Sequence, residues 1–144
     1  MQTSAIRQIG FDAGHRVHGH ESKCATFHGH RYTAEIYCKA IEGALDGLGR
    51  VIDFSVIKTK IGAWIDTHWD HAMVVWKNDP DLPHIKACTG FKPVFECDFN
   101  PTAENMAAFL LNHVCPSLLT NTGVIVHRIR LWETPNCYVE VDLC

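Results

Sequence analysis

Three residues between positions 24 and 30 combine a thiol with two imidazoles at a spacing that suits chemistry. His28 and His30 are two residues apart, so on a β-strand both side chains point to the same face. Their Cα atoms are then about 6–7 Å apart, and two rings that lean toward each other can bind one metal ion. Gly29 between them leaves the opposite face bare, so a backbone or a ligand can approach. This segment therefore predicts a functional site.

Three earlier histidines compete to be the third ligand. A catalytic zinc ion needs three protein ligands and an open position. His18 and His20 lie in a polar loop, where an exposed imidazole costs nothing, whereas His15 directly follows the predicted first strand. We favour a metal site of His15, His28 and His30. The competing interpretation is that these are solvated loop histidines.

Cys24 has three interpretations. It could be a fourth ligand that closes a structural zinc site, a base or nucleophile whose pKa a nearby cation lowers, or an ordinary buried thiol. Structural zinc usually supports domains that lack a large core. A chain of 144 residues with 47% hydrophobic residues is long enough to form one. We therefore favour the catalytic interpretation.

Several carboxylates are further candidates for chemistry. Asp70 precedes His71, and an Asp can fix the tautomer of a His and raise its basicity for proton transfer. His68 is the alternative functional histidine in this segment. Glu133 ends a predicted strand, where it could accept N–H donors from a flat heterocycle or cap a turn; the sequence leaves both open. Glu104 is expected to interact with a helix dipole.

Length and composition predict one soluble domain that spans residues 1–144, and the order of its predicted strands and helices indicates the α+β class. The formal net charge is −3, and Lys and Arg are scattered singly, which is not typical of a nucleic-acid-binding surface. No apolar segment approaches the length of a membrane span, and the start of the chain has no apolar signal core. We therefore expect a cytoplasmic protein without nucleic-acid or membrane partners. Seven irregularly spaced cysteines then indicate reduced thiols.

Apolar periodicity places the elements along the chain. Strands are predicted at residues 5–11, 29–41, 124–132 and 138–143, with a possible short strand at 94–97. Helices are predicted at 56–67 and 100–113, the second ending ahead of Pro116. The first two strands are expected to pair antiparallel with the histidine-rich loop between them, and the last two to form a hairpin.

Six segments of the chain resemble, in the same order, the motifs of the 6-pyruvoyltetrahydropterin and 6-carboxytetrahydropterin synthase family. They are residues 11–16 (F-D-A-G-H-R), 24–30 (C-x-x-x-H-G-H), 51–54 (V-I-D-F), 70–71 (D-H), 100–105 (N-P-T-A-E-N) and 133–134 (E-T). One such match means little, but six in this order over most of the chain are specific.

The resemblance implies the tunnelling fold, with a four-stranded antiparallel sheet, two helices on one face, and trimer barrels that stack as hexamers. It implies a substrate, 7,8-dihydroneopterin triphosphate, bound where subunits meet. It also implies roles for individual residues: zinc on His15, His28 and His30, proton transfer by Cys24 and by His71 with Asp70, and pterin anchoring by Glu133. The candidate contacts for the triphosphate, which the sequence does not rank, are Arg16, Lys23, Arg31 and Lys39.

The spacing of three residues between Cys24 and His28 resembles the bacterial 6-carboxytetrahydropterin synthases, which serve queuosine and 7-deazaguanine synthesis and release acetaldehyde with triphosphate. The first alternative is a 6-pyruvoyltetrahydropterin synthase, which eliminates triphosphate from the same substrate. A related pterin or purine enzyme, and a zinc-stabilised binding domain without activity, are further alternatives. The stretch 80–98 is longer than in compact members of the family.

Overall fold

Six strands form one mixed β-sheet in the computed structural model, which describes residues 1–143. The strands are β1 (Ala5–His15), β2 (His28–Ala40), β3 (Ala72–Trp76), β4 (Phe95–Cys97), β5 (Val124–Thr134) and β6 (Cys137–Asp142). Their order across the sheet is β4-β3-β1-β2-β5-β6. Three of the five strand pairings are antiparallel and the sheet is accompanied by helices, so the α+β class is confirmed.

The predicted number of four strands is wrong, because β3 and β4 extend the sheet beyond β1. The antiparallel pairs β1–β2 and β5–β6 are present as predicted, and β2 also pairs antiparallel with β5. β3 pairs parallel to β1 through two residue pairs only, and β4 pairs parallel to β3. Such short pairings between distant segments leave no periodic pattern in the sequence. β1 also runs four residues further than predicted, so His15 is the last residue of a strand.

Two long helices and one short helix accompany the sheet. The first long helix (residues 54–68) is α-helical at Phe54–Ile57 and Ala63–His68, with a π-helical turn at Lys58–Gly62. The second (residues 103–118) is α-helical at Ala103–Phe109 and Cys115–Leu118, with a π-helical turn at Leu110–Val114. The short helix is Leu82–Cys88. Among the described residues, no helix has the length and apolar character that crossing a bilayer requires.

The second long helix differs from the prediction at both ends. Thr102, rather than Asn100, caps it, since the Thr102 side chain accepts a hydrogen bond from the Asn105 amide. The helix also continues past Pro116 to Leu118 instead of ending before it. In a regular α-helix the proline ring clashes with the carbonyl four residues earlier; the wider π-helical turn directly before Cys115 relieves that clash.

One face of the sheet carries the core. Phe11 on β1 and Tyr32 on β2 are fully buried and stack with ring centroids 5.0 Å apart. Trp69, which follows the first long helix, packs against Phe11 at 5.7 Å. Because side chains alternate along a strand, His15 lies on the same face as Phe11, and His28 and His30 on the same face as Tyr32. The predicted metal ligands therefore lie at one end of the buried face.

Replacing Phe11 by Ala is expected to destabilise the protein by about 3–5 kcal/mol, because the cavity would remove contacts with both Tyr32 and Trp69. Urea unfolding followed by circular dichroism measures this. Phe91→Ala is the control: Phe91 is 104% exposed, so its loss should change the stability by no more than about 0.5 kcal/mol. Equal stability of the two variants would contradict the described core.

Candidate active site and metal centre

The structure brings the three predicted metal ligands together. His15 on β1 lies opposite His28 on β2, and His30 lies opposite Ala13. The ring centroids are 4.7 Å apart for His15 and His28, 5.2 Å for His15 and His30, and 4.8 Å for His28 and His30. We call these three residues the histidine cluster. Their grouping follows from the antiparallel register alone.

The two other loop histidines lie outside this cluster. The backbone N–H of His18 donates to Asn100 Oδ1, and the His18 ring lies 6.0 Å from that of Trp76. The Nδ1 atom of His20 accepts a hydrogen bond from the Ser22 amide at 2.9 Å. Neither belongs to the groups of potential metal ligands among the described residues. The structure thus distinguishes His15 from the alternatives that the sequence left open.

Backbone carbonyls orient two of the imidazoles. His15 Nδ1 lies 2.6 Å from the carbonyl oxygen of Pro101, and His28 Nδ1 lies 2.5 Å from that of Thr26. A carbonyl oxygen only accepts, so each Nδ1 carries the proton and each Nε2 presents a lone pair. His15 Nε2 is buried and makes no hydrogen bond. Such an unpaired, preoriented nitrogen is what a metal ligand requires.

The donor set fits a zinc ion. In a tetrahedral site with zinc–nitrogen distances of about 2.0–2.1 Å, the ligand atoms are about 3.3 Å from one another. His28 Nε2 and His30 Nε2 are 3.1 Å apart. Burial lowers the pKa of His30 below its ordinary value, against the opposing effect of the Glu133 carboxylate. The neutral ring that metal binding needs therefore predominates at neutral pH.

Glu133 contributes a fourth potential ligand. One of its carboxylate oxygens, Oε1, lies 2.8 Å from His30 Nε2 and 3.3 Å from His15 Nε2, the latter without hydrogen-bond geometry. All four side chains offer ligand atoms within 4.8 Å of one another. The nearby imidazoles, His15 foremost, hold the pKa of Glu133 below its ordinary value, so it is a carboxylate. Along β5, Glu133 continues the two-residue series of the buried Ile129 and Leu131, which places it on the core face, although this series does not indicate that it meets the histidines.

Asp70 and His71 form a second cluster with the backbone of Asp12. His71 Nδ1 lies 2.9 Å from Asp70 Oδ2. The Asp12 amide donates to Asp70 Oδ1 at 2.9 Å, and the His71 amide donates to the Asp12 carbonyl at 2.6 Å. His71 has a φ of 60°, unusual for a residue other than glycine. Hydrogen bonds to β1 thereby fix the Asp70 side chain and the backbone of His71.

The predicted pairing of Asp70 with His71 is thus present in the structure. Burial would raise the pKa of Asp70, but hydrogen bonds from the Asp12 amide and from His71 keep it below its ordinary value. His68, the alternative, instead packs its ring 4.7 Å from Trp64 and 6.1 Å from Phe95. It has no contact with Asp70 among the described interactions.

The two clusters open onto different cavities. His30 and Glu133 line a cavity of about 540 Å³, together with Arg31, Glu35 and Trp132 among others. Asp70 and His71 line one of about 720 Å³, beside Met73, Cys88 and Lys92 among others. The two sets of lining residues do not overlap. Within the described part of one chain, the histidine cluster and the Asp70–His71 pair are therefore not assembled around a single cavity.

Cys24 lies in a short 3₁₀ turn, Lys23–Ala25, ahead of β2. Its carbonyl accepts a hydrogen bond from the Val17 amide at 2.8 Å, and the residue is half-buried. Among the described residues, the group of potential ligands around the histidine cluster contains no thiol. The geometry therefore gives no support to Cys24 as a fourth metal ligand.

A family model described as 6-pyruvoyl tetrahydropterin synthase matches residues 5–143. The chain belongs to this family. A relative from Rickettsia felis named 6-carboxy-5,6,7,8-tetrahydropterin synthase is 45% identical, over 94% of this chain and 96% of its own length. A protein of the same name from Haemophilus influenzae is 31% identical, over 93% of this chain and 94% of its own.

Solved structures share the fold of this chain. An uncharacterized protein from Wolinella succinogenes superposes with a TM-score of 0.83 at 22% identity, covering 99% of this chain and 98% of that chain. The 6-pyruvoyl tetrahydropterin synthase of Caenorhabditis elegans superposes with a TM-score of 0.68 at 22% identity, covering 100% and 97%. The predicted tunnelling fold is thereby confirmed.

Arg16, next to His15, organises the surroundings of the site in this family member. Its guanidinium forms a bidentate ion pair with Asp79, contacts Asp81 Oδ2 at 2.8 Å, and lies 4.4 Å from the centroid of the Phe27 ring. It therefore connects the end of β1, the residue before His28 and the loop after β3. The sequence analysis grouped Arg16 with the candidate triphosphate ligands. In the structure its guanidinium is already engaged by Asp79, Asp81 and Phe27.

Asn100 connects the histidine-rich loop to the start of the second long helix. Its side-chain amide accepts from the His18 amide at 3.0 Å and donates to the His18 carbonyl at 2.9 Å. The next residue, Pro101, supplies the carbonyl that orients His15. The family motif at residues 100–105 thus has a role at the site besides starting a helix.

His15→Ala is expected to abolish stoichiometric metal binding, because it removes a buried, preoriented Nε2 from the cluster. His18→Ala and His20→Ala are matched controls from the loop that directly follows His15, and they should keep the metal. Zinc content after dialysis, measured by mass spectrometry of the metal, tests this. Loss of zinc in either control variant, or its retention in His15→Ala, would contradict the assignment.

Asp79→Ala is expected to destabilise the protein by about 2–3 kcal/mol at pH 7, somewhat less than for fully buried ion pairs, since Arg16 is 15% exposed. Burial would raise the pKa of Asp79, but the Arg16 hydrogen bond keeps it below its ordinary value. The stabilisation is thus present above about pH 4 and is lost as the pH falls through the lowered pKa.

Urea unfolding of wild type and Asp79→Ala at pH 7 and in acid measures this difference. The control is Asp98→Ala, because Asp98 pairs with Lys77 at the surface and its side chain is 86% exposed. That variant should unfold at the wild-type midpoint. The predicted pH dependence would be contradicted if the difference in unfolding free energy between wild type and Asp79→Ala grew on acidification.

Proposed function

We propose that this chain is a zinc-dependent lyase that converts 7,8-dihydroneopterin triphosphate into 6-carboxy-5,6,7,8-tetrahydropterin, acetaldehyde and triphosphate, in queuosine and 7-deazaguanine biosynthesis. The observation that carries the proposal is the 45% identity, over 94% of the chain, to a protein named 6-carboxy-5,6,7,8-tetrahydropterin synthase. The histidine cluster supports the metal dependence, because the Nε2 atoms of His28 and His30 lie close together and His15 Nε2 is buried without a hydrogen bond.

His15, His28 and His30 would hold the zinc ion. When bound, zinc supplies Lewis-acid polarisation of the oxygens on the substrate side chain. The chain's contribution is preorganisation: the carbonyls of Pro101 and Thr26 hold two rings in the tautomer that binds metal. The proposed reaction needs the fourth coordination position for the substrate. We therefore assign three permanent protein ligands to the zinc ion rather than four.

Proton transfer is assigned to His71 and Cys24. Because His71 Nδ1 is paired with Asp70, its Nε2 is the nitrogen that can accept or return a proton. The His71 side chain is 73% exposed, so a substrate can reach it. Cys24, half-buried ahead of β2, would act as the second acid–base group. Glu133 would bind N–H donors of the pterin through charge-assisted hydrogen bonds.

The arrangement of cavities supports a homo-oligomer, either a trimer or a hexamer. One chain presents the histidine cluster and the Asp70–His71 pair to different cavities. Both groups are assigned to one reaction, so a second copy of the chain would bring them together. We propose that the small-molecule pterin binds at this junction, and that the enzyme works in the cytoplasm.

Arg31 is the best placed of the candidate triphosphate ligands. It lines the cavity that contains His30 and Glu133. Its side chain is 65% exposed, and its contact with Asp12 is long, at 3.3 Å. A guanidinium held this loosely remains available to an incoming phosphate, whereas that of Arg16 does not.

Zinc-loaded protein incubated with 7,8-dihydroneopterin triphosphate is expected to form the 6-carboxy product and acetaldehyde, identified by mass spectrometry. Cys24→Ala should keep its zinc and lose about 10²–10⁴-fold in turnover, the usual range for a general acid or base. Cys137→Ala is the control, since Cys137 is exposed in the β5–β6 hairpin and should retain activity.

A 6-pyruvoyl product would move the protein to the other branch of the family and leave the site assignments in place. No turnover, together with loss of zinc in Cys24→Ala, would overturn the proposal in favour of a zinc-stabilised binding domain. Full activity of Cys24→Ala would remove the thiol from the reaction while keeping the lyase.

A further inference from the structure

The stretch 80–98, which stands out in the sequence for its length, forms one wall of the cavity that contains Asp70 and His71. Most of the residues that line this cavity come from the end of the short helix and the turn after it, residues 85–92. The stretch therefore borders the histidine that is assigned to proton transfer. It can contribute contacts to a molecule that enters the cavity.

Lys92 is the one permanently charged cation among the described residues that line this cavity. Its Nζ atom donates to the carbonyl oxygen of Asp66 at 2.6 Å, and it forms no ion pair with the described residues. Lys86, in contrast, pairs with Glu96 at 3.2 Å. An ammonium group has three donors, so Lys92 has two that remain for a ligand.

The contact with Asp66 fixes the position of this ammonium group. Asp66 lies in the last turn of the first long helix, where the carbonyl oxygens carry partial negative charge. Lys92 is half-buried, so its side chain is held against the protein. Burial would raise the pKa of Asp70, but hydrogen bonds and, at longer range, the Lys92 charge keep it below its ordinary value. The ammonium group therefore shares the electrostatic environment of the Asp70–His71 pair.

The proposed substrate has a polyanion close to its reacting carbons. In 7,8-dihydroneopterin triphosphate, the phosphates are attached to the end of a short side chain, within a few bonds of each position from which His71 could take a proton. A cavity that accepts this group has to offset several negative charges in addition to that of Asp70. Lysine is a common phosphate ligand, because phosphate oxygens form strong hydrogen bonds with charged N–H donors.

We propose that Lys92 binds the triphosphate of the substrate from the side of the cavity that holds Asp70 and His71. The inference rests on the proposed function, because it takes the pterin triphosphate as the substrate and His71 as a proton-transfer residue. Arg31 would contact the same group from the cavity of the histidine cluster, once a second copy of the chain brings the two cavities together. The positive charge of Lys92 also stabilises the triphosphate as it leaves.

Lys92→Gln is the variant that tests this contact, because it keeps a donor for the Asp66 carbonyl and removes only the positive charge. It should therefore unfold in urea at the wild-type midpoint and retain its zinc. The zinc-loaded protein is titrated by calorimetry with inorganic triphosphate and, separately, with 7,8-dihydroneopterin, which lacks the phosphates. We expect Lys92→Gln to bind triphosphate at least about 10-fold more weakly than wild type, the usual loss for a charge-assisted hydrogen bond, and to bind 7,8-dihydroneopterin within about two-fold of wild type.

Lys86→Gln is the matched control, because it removes the same charge from the neighbouring helix at a residue that does not line the cavity. It should bind both ligands like wild type, and Lys92→Arg, which keeps the charge, should still bind triphosphate. The proposal is overturned if Lys92→Gln binds triphosphate as tightly as wild type, or if Lys86→Gln loses as much affinity. A lower unfolding midpoint of Lys92→Gln, with equal weakening of both ligands, would also overturn it and make Lys92 a structural residue at the helix end.

Kinetics separate this inference from the proposed function. Formation of the 6-carboxy product by Lys92→Gln with an unchanged KM would refute the phosphate contact and leave the lyase assignment intact. Conversely, triphosphate binding that depends on Lys92, in a wild-type protein that forms no 6-carboxy product, would refute the proposed function and leave the phosphate site.

Discussion

The site depends on where the protons of the imidazoles are. Three neutral rings can present lone pairs to one point only if each carries its proton on the far nitrogen, and backbone carbonyls impose that on His15 and His28. Unlike side chains, these carbonyls cannot rotate away, because their positions are set by a helix start and a strand start. The site therefore requires accurate relative positions of three parts of the fold: the strands, the loop before β2 and the start of the second long helix.

Sequence reasoning succeeded where the determinant was local. The His28–His30 pair follows from the two-residue period of a strand, and the burial of Phe11 and Tyr32 from the same period. It also placed His15 in the site, although the strand proved to extend through that residue. The β1–β2 register then brings the third ring to the other two without further information. Likewise, the neighbouring positions of Asp70 and His71 were enough to suggest their pairing.

Sequence reasoning failed where distant segments decide the structure. It predicted a possible short strand at residues 94–97, where β4 lies, but it did not predict β3 or the parallel pairings of β3 with β1 and with β4. The ion pair of Arg16 with Asp79 likewise joins segments 63 residues apart. Alternation along β5 places Glu133 on the same face as the buried Ile129 and Leu131, but it does not show which side chains Glu133 meets there. Resemblance to a family supplied that residue as functional, and only the coordinates relate it to the metal site.

The hydrogen bond between His15 and Pro101 spans 86 residues of chain. Closing such a long loop costs chain entropy, and this step cannot occur until most of the polypeptide has left the ribosome. A nascent chain that has exposed only β1 and β2 already displays all three imidazoles, but their tautomers are still unconstrained. The orientation of the His15 ring is therefore completed late in biogenesis, after the segment that carries Pro101 has been synthesised and has folded back onto β1.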